Sequence, residues 1–261
     1  MQRLRIFLTA AALVLFSTSL LAQAIDLGRG ELPVTVPANY DAGTPAPLIV
    51  LLHGYTSSGA SQDRYMGFSS IADKYGFLLV APDGDKEAGG DENRFWNADI
   101  IQTVKADFNV DPNRVYLVGH SNGGFMSYRA AYDHSETIAA IASLAGASHI
   151  DDRPAPANPV HVLQIHGTND GTIAYNGDDI AGNAYPSAHD TVAQWAEYNG
   201  CEAQANEREL RDLVANLEGH ESSVEVFNQG CKTGGSSELW TISDGSHVPS
   251  FSDSFAAQVV E

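Results

Sequence analysis

The amino-acid sequence predicts an α/β fold, in which helices cover both faces of a doubly wound, mostly parallel sheet. Apolar runs of strand length alternate with helix-like segments along the chain, as in strand–helix–strand units with right-handed crossovers. Several of these runs are apolar throughout, which is typical of strands buried on both faces. The chain has 261 residues, 43% of them hydrophobic, which is enough for one large core. We therefore expect residues 25–261 to form a single domain.

The individual elements follow from these patterns. Alternation over residues 31–36 predicts an edge strand. Buried strands are predicted at residues 47–52, 77–81, 114–118, 139–144, 160–165 and 238–242. Helical patterns lie at about residues 60–75, 100–108, 122–134 and 188–199, and a further short helix is expected at the end of the chain.

The first two dozen residues have the pattern of a secretory signal peptide. Arg3 and Arg5 precede an almost wholly apolar stretch, and Ala22-Gln23-Ala24 fits the small-x-small cleavage pattern. A membrane anchor is the alternative, but the apolar stretch is shorter than the roughly 20 residues that a spanning helix needs. We therefore expect cleavage of residues 1–24 and a secreted or periplasmic protein.

The charge and the cysteine content limit the classes of binding partner and indicate the cellular compartment. The formal net charge of −19 disfavours nucleic acid and anionic lipid as partners. The two cysteines, Cys201 and Cys231, allow one intramolecular pairing, and an exported chain favours a disulfide over two free thiols. A metal site would need more ligands nearby, and the chain has no Cys-x-x-Cys redox pair.

A candidate nucleophile follows the strand predicted at residues 114–118. Gly119-His120-Ser121-Asn122-Gly123 matches the G-x-S-x-G pattern, with the required strand before it and helix after it. A sharp turn there projects the serine hydroxyl, and flanking side chains would collide with neighbouring backbone, which favours glycine. The helix that follows directs the positive end of its dipole at the serine.

A serine hydroxyl needs a base, and position separates the nine histidines. His247 follows the last predicted strand in a loop shaped by Gly245 and Pro249, which could hold the imidazole over Ser121. Structural or pocket-lining roles are expected for three histidines beside glycines at strand ends, namely His53, His120 and His166. Polar or ordinary contexts surround His134, His149, His161, His189 and His220.

The base in turn needs a carboxylate that fixes its tautomer. Asp170 stands just past the strand at residues 160–165, whereas Asp179 and Asp190 lie further from any strand end and are weaker candidates. The order Ser121, Asp170, His247 is that of the α/β-hydrolase fold and differs from the chymotrypsin and subtilisin orders.

Acyl transfer also needs hydrogen-bond donors for the oxyanion. The backbone N–H of Asn122 directly follows the nucleophile and is one expected donor. The loop after the strand at residues 47–52 should supply the other, and Tyr55 N–H is the natural candidate. This chemistry requires no metal or organic cofactor.

Several segments together resemble the polyhydroxybutyrate-depolymerase-type esterases, a group similar to feruloyl and acetylxylan esterases. The resemblance is carried by the segments LLHGYTSSGAS, FLLVAPDG, FWNA, DPNRVYLVGHSNGGFMSYRAA, IASLAGA, QIHGTNDGTIAY and GSHVPSF. It covers nearly all of residues 25–261 and implies the same triad, together with a disulfide like Cys201–Cys231. It also implies that Trp96 lies near the acyl-binding cleft, although core packing is an equal alternative for this residue.

The chain departs from that family in its middle. Only residues 99–110 connect the Phe-Trp-Asn-Ala motif to the Asp-Pro-Asn-Arg turn, where members of the family carry a longer helical segment. We expect a shorter helix here to leave part of one sheet face less covered.

The sequence therefore predicts a secreted serine carboxylic-ester hydrolase. Polyhydroxyalkanoates, feruloylated or acetylated polysaccharides and synthetic polyesters remain open as substrates. A peptidase resembling the prolyl oligopeptidases shares the Gly-x-Ser-x-Gly-Gly pattern, but those enzymes carry an additional large domain. A non-catalytic module on a hydrolase fold typically loses a triad member, and an accessory polymer-binding role lacks a visible Trp/Tyr-rich appended domain.

Overall fold

A ten-stranded sheet forms the centre of the computed structural model, which describes residues 23–27, 30–84, 98–150, 153–207 and 210–261. The strands are β1 (Gln23–Asp26), β2 (Glu31–Thr35), β3 (Ala46–Leu52), β4 (Leu78–Val80), β5 (Val110–His120), β6 (Ala140–Leu144), β7 (His161–Gly167), β8 (Asp178–Ile180), β9 (Asn183–Tyr185), β10 (Asn206–Glu207), β11 (Ser222–Phe227) and β12 (Ser236–Ile242). The helices are α1 (Gly59–Met66), α2 (Ala72–Tyr75), α3 (Ala98–Asp107), α4 (Asn122–Asp133), α5 (Ala188–Tyr198) and α6 (Phe255–Val260).

The order of the main sheet is β1-β2-β4-β3-β5-β6-β7-β12-β11-β10, and β8 and β9 form a separate hairpin. The strands from β4 to β12 in that order are parallel, whereas β1 and β2 on one side and β11 and β10 on the other pair antiparallel. The predicted doubly wound, mostly parallel sheet is confirmed. Each predicted strand is present within a few residues of its expected bounds.

The prediction that residues 31–36 form an edge strand is wrong, because β1 lies outside β2. Ile25 is buried to 1% exposure and anchors this short strand to the core. The predicted signal peptide lies outside the described residues up to residue 22, and its last two residues, Gln23 and Ala24, belong to β1. No helix in the described part of the chain is long and apolar enough to cross a membrane.

The single helix expected at residues 60–75 is instead three short pieces. Helix α1 ends at Gly67, which takes a left-handed conformation (φ 77°) and donates its N–H to Asp63 O. A 3₁₀ turn at Phe68–Ile71 and then α2 follow. Glycine adopts this conformation without a steric penalty, so it ends the helix despite the continuing apolar pattern.

Two apolar layers cover the two faces of the sheet. Helices α3, α4 and α5 pack on one face, where Val104, Tyr128 and Trp195 are buried against alternate strand residues. Helices α1, α2 and α6 pack on the other. A cavity of about 680 Å³ lies on this second face, between the sheet and α6. The short connection at residues 99–110 was expected to leave part of one sheet face less covered. It does not account for this cavity, because α3 packs on the opposite face.

The expected disulfide is present and joins Cys201 to Cys231. It links the chain just after α5 to the loop between β11 and β12, next to the strand that leads to His247. The disulfide therefore restrains the part of the sheet that positions His247, the candidate base.

Replacing both cysteines, as in Cys201→Ala/Cys231→Ala, should lower the free energy of unfolding by about 3 kcal/mol, because the bridge no longer restricts the unfolded chain. Urea denaturation of both proteins measures this difference. Reductant should destabilise the wild type to a similar extent and leave the double variant unchanged. Equal stability of the two oxidised proteins would contradict the prediction.

Candidate active site

Ser121 occupies a strained turn between β5 and α4. Its backbone has φ 54° and ψ −119°, outside the regions that residues with a side chain favour, and its N–H donates to Leu144 O on β6. Two glycines permit the turn: a Cβ on Gly119 would lie 2.1 Å from Gly123 O, and one on Gly123 would lie 2.2 Å from Leu52 O. Helix α4 begins at Asn122, so the positive end of its dipole lies at the serine hydroxyl.

The three residues predicted as a triad lie in one hydrogen-bonded row. The Ser121 Oγ is 2.9 Å from His247 Nε2, and His247 Nδ1 is 2.8 Å from Asp170 Oδ2. Because the carboxylate can only accept, Nδ1 carries the imidazole proton and Nε2 is left to accept from the serine hydroxyl. The arrangement can therefore take a proton from Ser121 without any change of position.

Asp170 is a buried and fully hydrogen-bonded carboxylate, with 0% of its side chain exposed. Its Oδ1 accepts from the backbone N–H groups of Thr172 and Ile173, each at 2.8 Å, while Oδ2 faces His247 and, at 3.3 Å, His166 Nε2. Burial raises the pKa of Asp170, but these hydrogen bonds together outweigh it and hold the pKa well below its usual range. The group is therefore an anion at neutral pH.

The loops after β7 and β12 are joined backbone to backbone. Thr168 N–H donates to Ile242 O, Asn169 N–H donates to Gly245 O, and Asp244 N–H donates to Thr168 Oγ1. These contacts bring the segments carrying Asp170 and His247 together, although 77 residues separate the two side chains in the chain.

The loop after β3 lies directly against Ser121, since a Cβ on Gly54 would be 3.5 Å from Ser121 Cβ. His53 Nε2 accepts from Gly84 N–H, which leaves its Nδ1–H to donate to Gly54 O. Gln62 Oε1 accepts from Gly54 N–H. Tyr55 directly follows Gly54 in this loop and Asn122 directly follows Ser121 in the chain, and their N–H groups stay the predicted oxyanion donors. Trp96 lies outside the described residues.

A buried network of polar side chains next to Asp170 was not predicted from the sequence. Tyr128 Oη donates to Gln164 Oε1, and Gln164 Nε2 donates to Gly146 O and to His166 Nδ1. His166 Nε2–H then faces Ile173 O at 2.9 Å as well as Asp170. The signal that could have revealed it is a glutamine inside an otherwise apolar strand, two residues from a histidine and therefore on the same face.

The weaker carboxylate candidates lie elsewhere. Asp190 is in the first turn of α5, where its Oδ2 accepts from Ser187 Oγ, and Asp179 accepts from Gly182 N–H in the β8–β9 hairpin. Neither contacts His247.

Comparison with known proteins shows the fold and the family of the chain. A family model described as the alpha/beta hydrolase fold matches residues 47–176. The protein named "Probable feruloyl esterase C" of Aspergillus clavatus is 30% identical over 225 residues, which cover 82% of this chain and 75% of that protein. The chain belongs to the esterase family of the α/β-hydrolase fold. Acetyl xylan esterase from Aspergillus awamori has the same fold, with a TM-score of 0.59 at 16% identity over 84% of this chain and 89% of that one.

Other members of this α/β-hydrolase family are much longer. Feruloyl esterase B of Piromyces equi is 27% identical over 238 residues, which cover 82% of this chain and 42% of that protein. The bifunctional acetylxylan esterase/xylanase XynS20E of Neocallimastix patriciarum is 31% identical over 150 residues, covering 56% of this chain and 22% of that protein. The chain thus spans less than half the length of these two relatives.

The glycines of the turn around Ser121 should be irreplaceable. Gly119→Ala places a methyl group against the Gly123 carbonyl and should cost about 3 kcal/mol of unfolding free energy or prevent folding. Gly171→Ala is the matched control, because a Cβ there meets nothing within 4 Å, and stability should be unchanged or rise by up to about 1 kcal/mol. Denaturation curves of the two variants decide this, and similar losses in both would contradict the steric explanation.

The buried carboxylate should make stability depend on pH. Because the folded-state pKa of Asp170 is lowered, its ionisation stabilises the fold above the unfolded pKa of about 4, and this contribution is lost as the pH falls through and below that value. Asp170→Asn should therefore be less stable than wild type at pH 7, with the gap narrowing towards pH 3. Denaturation at both pH values measures the gap. Ser121→Ala removes no carboxylate, so its stability should change with pH in the same way as that of wild type. A difference in stability between Asp170→Asn and wild type that is the same at both pH values would contradict the prediction.

Proposed function

We propose that this protein is a secreted serine carboxylic-ester hydrolase that acts through an acyl-enzyme. Ser121 is the nucleophile, His247 the general base and acid, and Asp170 the carboxylate that orients the imidazole. The observation that carries the proposal is the unbroken row of hydrogen bonds from Ser121 Oγ through His247 to the buried Asp170.

In the first step, Ser121 Oγ attacks the ester carbonyl carbon while its proton passes to His247 Nε2. Asp170 stabilises the imidazolium that forms. The carbonyl oxygen becomes an oxyanion, for which the N–H groups of Tyr55 and Asn122 are the donors, with the amino end of α4 adding a favourable field. The tetrahedral intermediate then breaks its bond to the alcohol oxygen, which leaves with the proton from His247.

In the second step, water takes the place of the alcohol. His247 accepts a proton from the water as its oxygen attacks the acyl carbon, and the proton returns to Ser121 Oγ when the acid leaves. Each step uses the same three side chains, so the buried anion serves both halves of the cycle.

The relatives support an ester of a plant polysaccharide as the first substrate class to test. Several are named feruloyl esterases, and one is named as an acetylxylan esterase with a xylanase. The poly(3-hydroxyalkanoate) depolymerase C of Paucimonas lemoignei is 29% identical over 133 residues, which supports a polyester as the second class. The substrate is therefore proposed as a feruloyl or acetyl ester of a polysaccharide, or a polyhydroxyalkanoate-like polyester.

Secretion is part of the proposal. The leader-like residues 1–24 support export, and the Cys201–Cys231 disulfide is the kind of bond that persists in oxidising compartments. A single catalytic domain over residues 25–261 is proposed with it.

Ser121→Ala should lower ester turnover by about 10⁴-fold or more, because no other hydroxyl in the described residues contacts His247 Nε2. Turnover is measured on a p-nitrophenyl ester, methyl ferulate, acetylxylan, a polyhydroxyalkanoate film and a peptide. Ser127→Ala is the matched control, since Ser127 is a buried serine on α4 whose Oγ donates to Gly123 O, and it should keep wild-type turnover. Retained activity in Ser121→Ala, or greater turnover of the peptide than of every ester, would overturn the proposal.

A further inference from the structure

The segment that carries His247 is an irregular loop after β12, and its backbone must be restrained for the imidazole to stay 2.9 Å from Ser121 Oγ. On one side the β7 loop holds it through Asp244 and Gly245. Those contacts come before His247 in the chain. Displacements of about 1 Å at a reacting group are enough to cost on the order of 100-fold in rate, so contacts at His247 itself matter.

His120 supplies such a contact at His247 itself. Its Nε2 lies 3.0 Å from the backbone oxygen of His247. Because a carbonyl can only accept, Nε2 carries the proton and His120 donates. Burial lowers the pKa of His120 to about 4, with a further lowering by His247 that hydrogen bonding to the His247 carbonyl opposes. His120 is therefore neutral at ordinary pH, and it does not compete with His247 for the serine proton.

The His120 ring is itself held from several directions. The Tyr65 ring lies 5.4 Å from it and the His247 ring 5.0 Å, measured between centroids, and only 8% of the residue is exposed. The backbone of Gly54 also approaches the ring closely, since a Cβ there would lie 3.3 Å from His120 Nδ1. A ring restrained in this way is a fixed donor.

Tyr65 makes a second contact to the same loop. Its hydroxyl donates to the backbone oxygen of Pro249 at 3.1 Å, and its ring also packs on Phe251. The two held carbonyls flank Val248, a residue that is 56% exposed and adds little anchoring of its own. The loop is thus attached on each side of an exposed residue.

We propose that His120 is a positioning residue for the general base: its Nε2–H holds the His247 carbonyl, and with Tyr65 on Pro249 it fixes the imidazole relative to Ser121. His120 directly precedes Ser121 in the strained turn. One short piece of backbone therefore places both the nucleophile and the donor that restrains the base. This inference rests on the proposed function, in which His247 is the base.

Two substitutions at His120 separate its hydrogen bond from its packing. His120→Phe keeps an aromatic ring but loses the N–H, and it should lower kcat about 10- to 100-fold at unchanged KM. His120→Gln loses the ring but keeps an N–H at the same number of bonds from Cβ, and its kcat should stay within about threefold of wild type. The same ranking should appear in the rate at which a fluorophosphonate labels Ser121, a measurement that needs no knowledge of the natural ester.

Tyr65→Phe tests the second contact against a matched control. It should slow labelling by about 3- to 10-fold. Tyr40→Phe also removes a phenol hydroxyl bonded to backbone, there the N–H of Asn109 just before β5, at the end of that strand away from Ser121, and should label at the wild-type rate. Melting temperatures and the final labelled fraction correct each rate for the amount of folded protein.

The outcomes distinguish the two levels of the proposal. Wild-type protein that neither labels nor turns over any ester would overturn the proposed function itself. Wild-type protein that labels, together with a His120→Phe variant that is folded and labels equally fast, would overturn the positioning role alone. Equal losses in His120→Phe and His120→Gln would do the same, because they would assign the effect to packing and not to the hydrogen bond.

Discussion

The left-handed backbone of Ser121 is the constraint on which the rest of the structure depends. A residue with a side chain in this region costs of order 1–3 kcal/mol and persists only where its surroundings enforce it. The two strands that neighbour β5, namely β3 and β6, do so here. Leu144 O on β6 accepts the Ser121 N–H, Leu52 O at the end of β3 approaches Gly123, and Ser143 Oγ on β6 would lie 2.6 Å from a Cβ on Gly124. The buried centre of the sheet thus fixes the direction of one hydroxyl.

The second constraint is the burial of a negatively charged carboxylate, that of Asp170. The chain is strongly acidic, but among the residues that the structure describes Asp170 is the only buried Asp or Glu, and its side chain has no exposed surface. Burying an unpaired carboxylate is very costly, and the cost is offset by the N–H groups of the turn that follows it and by two imidazoles. Because all these partners lie within hydrogen-bond distance or just beyond and are shielded from solvent, salt should screen them far less than surface ion pairs.

The sequence predicts the centre of the sheet better than its outer strands. The central strands were predicted correctly, because buried parallel strands have long apolar runs. Ser121, Asp170 and His247 were predicted as a triad because they stand where those runs end, and the structure places them in one hydrogen-bonded row. Strand β1 was missed because it has a single strongly apolar anchor, Ile25, beside a leader-like sequence. Strand β11 was missed because its alternation is short and partly polar, and the break at Gly67 was missed because the apolar pattern runs through it.

The contacts among polar side chains were the least predictable. His120 and His166 were expected to be structural or pocket-lining, and both are buried, but their partners come from distant segments. Tyr65 reaches Pro249 across 184 residues and Tyr128 reaches Gln164 across 36, and a local pattern holds no information on such pairs. A glutamine in an apolar strand does indicate a buried network, because a buried amide needs partners, though it does not name them.

The distance along the chain between Ser121 and His247 also links activity to the intact sheet. The two side chains are 126 residues apart, and the last register pair between β7 and β12, Gly167 with Ile242, stands just before both Asp170 and His247. A Cβ on Gly167 would lie 2.2 Å from Gly245 O, so the two loops meet at close contact there. Loss of this pairing would displace His247 and Asp170 together while Ser121 kept its own supports on β3 and β6. The proposed nucleophile is therefore held by the centre of the sheet, and its proposed activation depends on the pairing of β7 with β12.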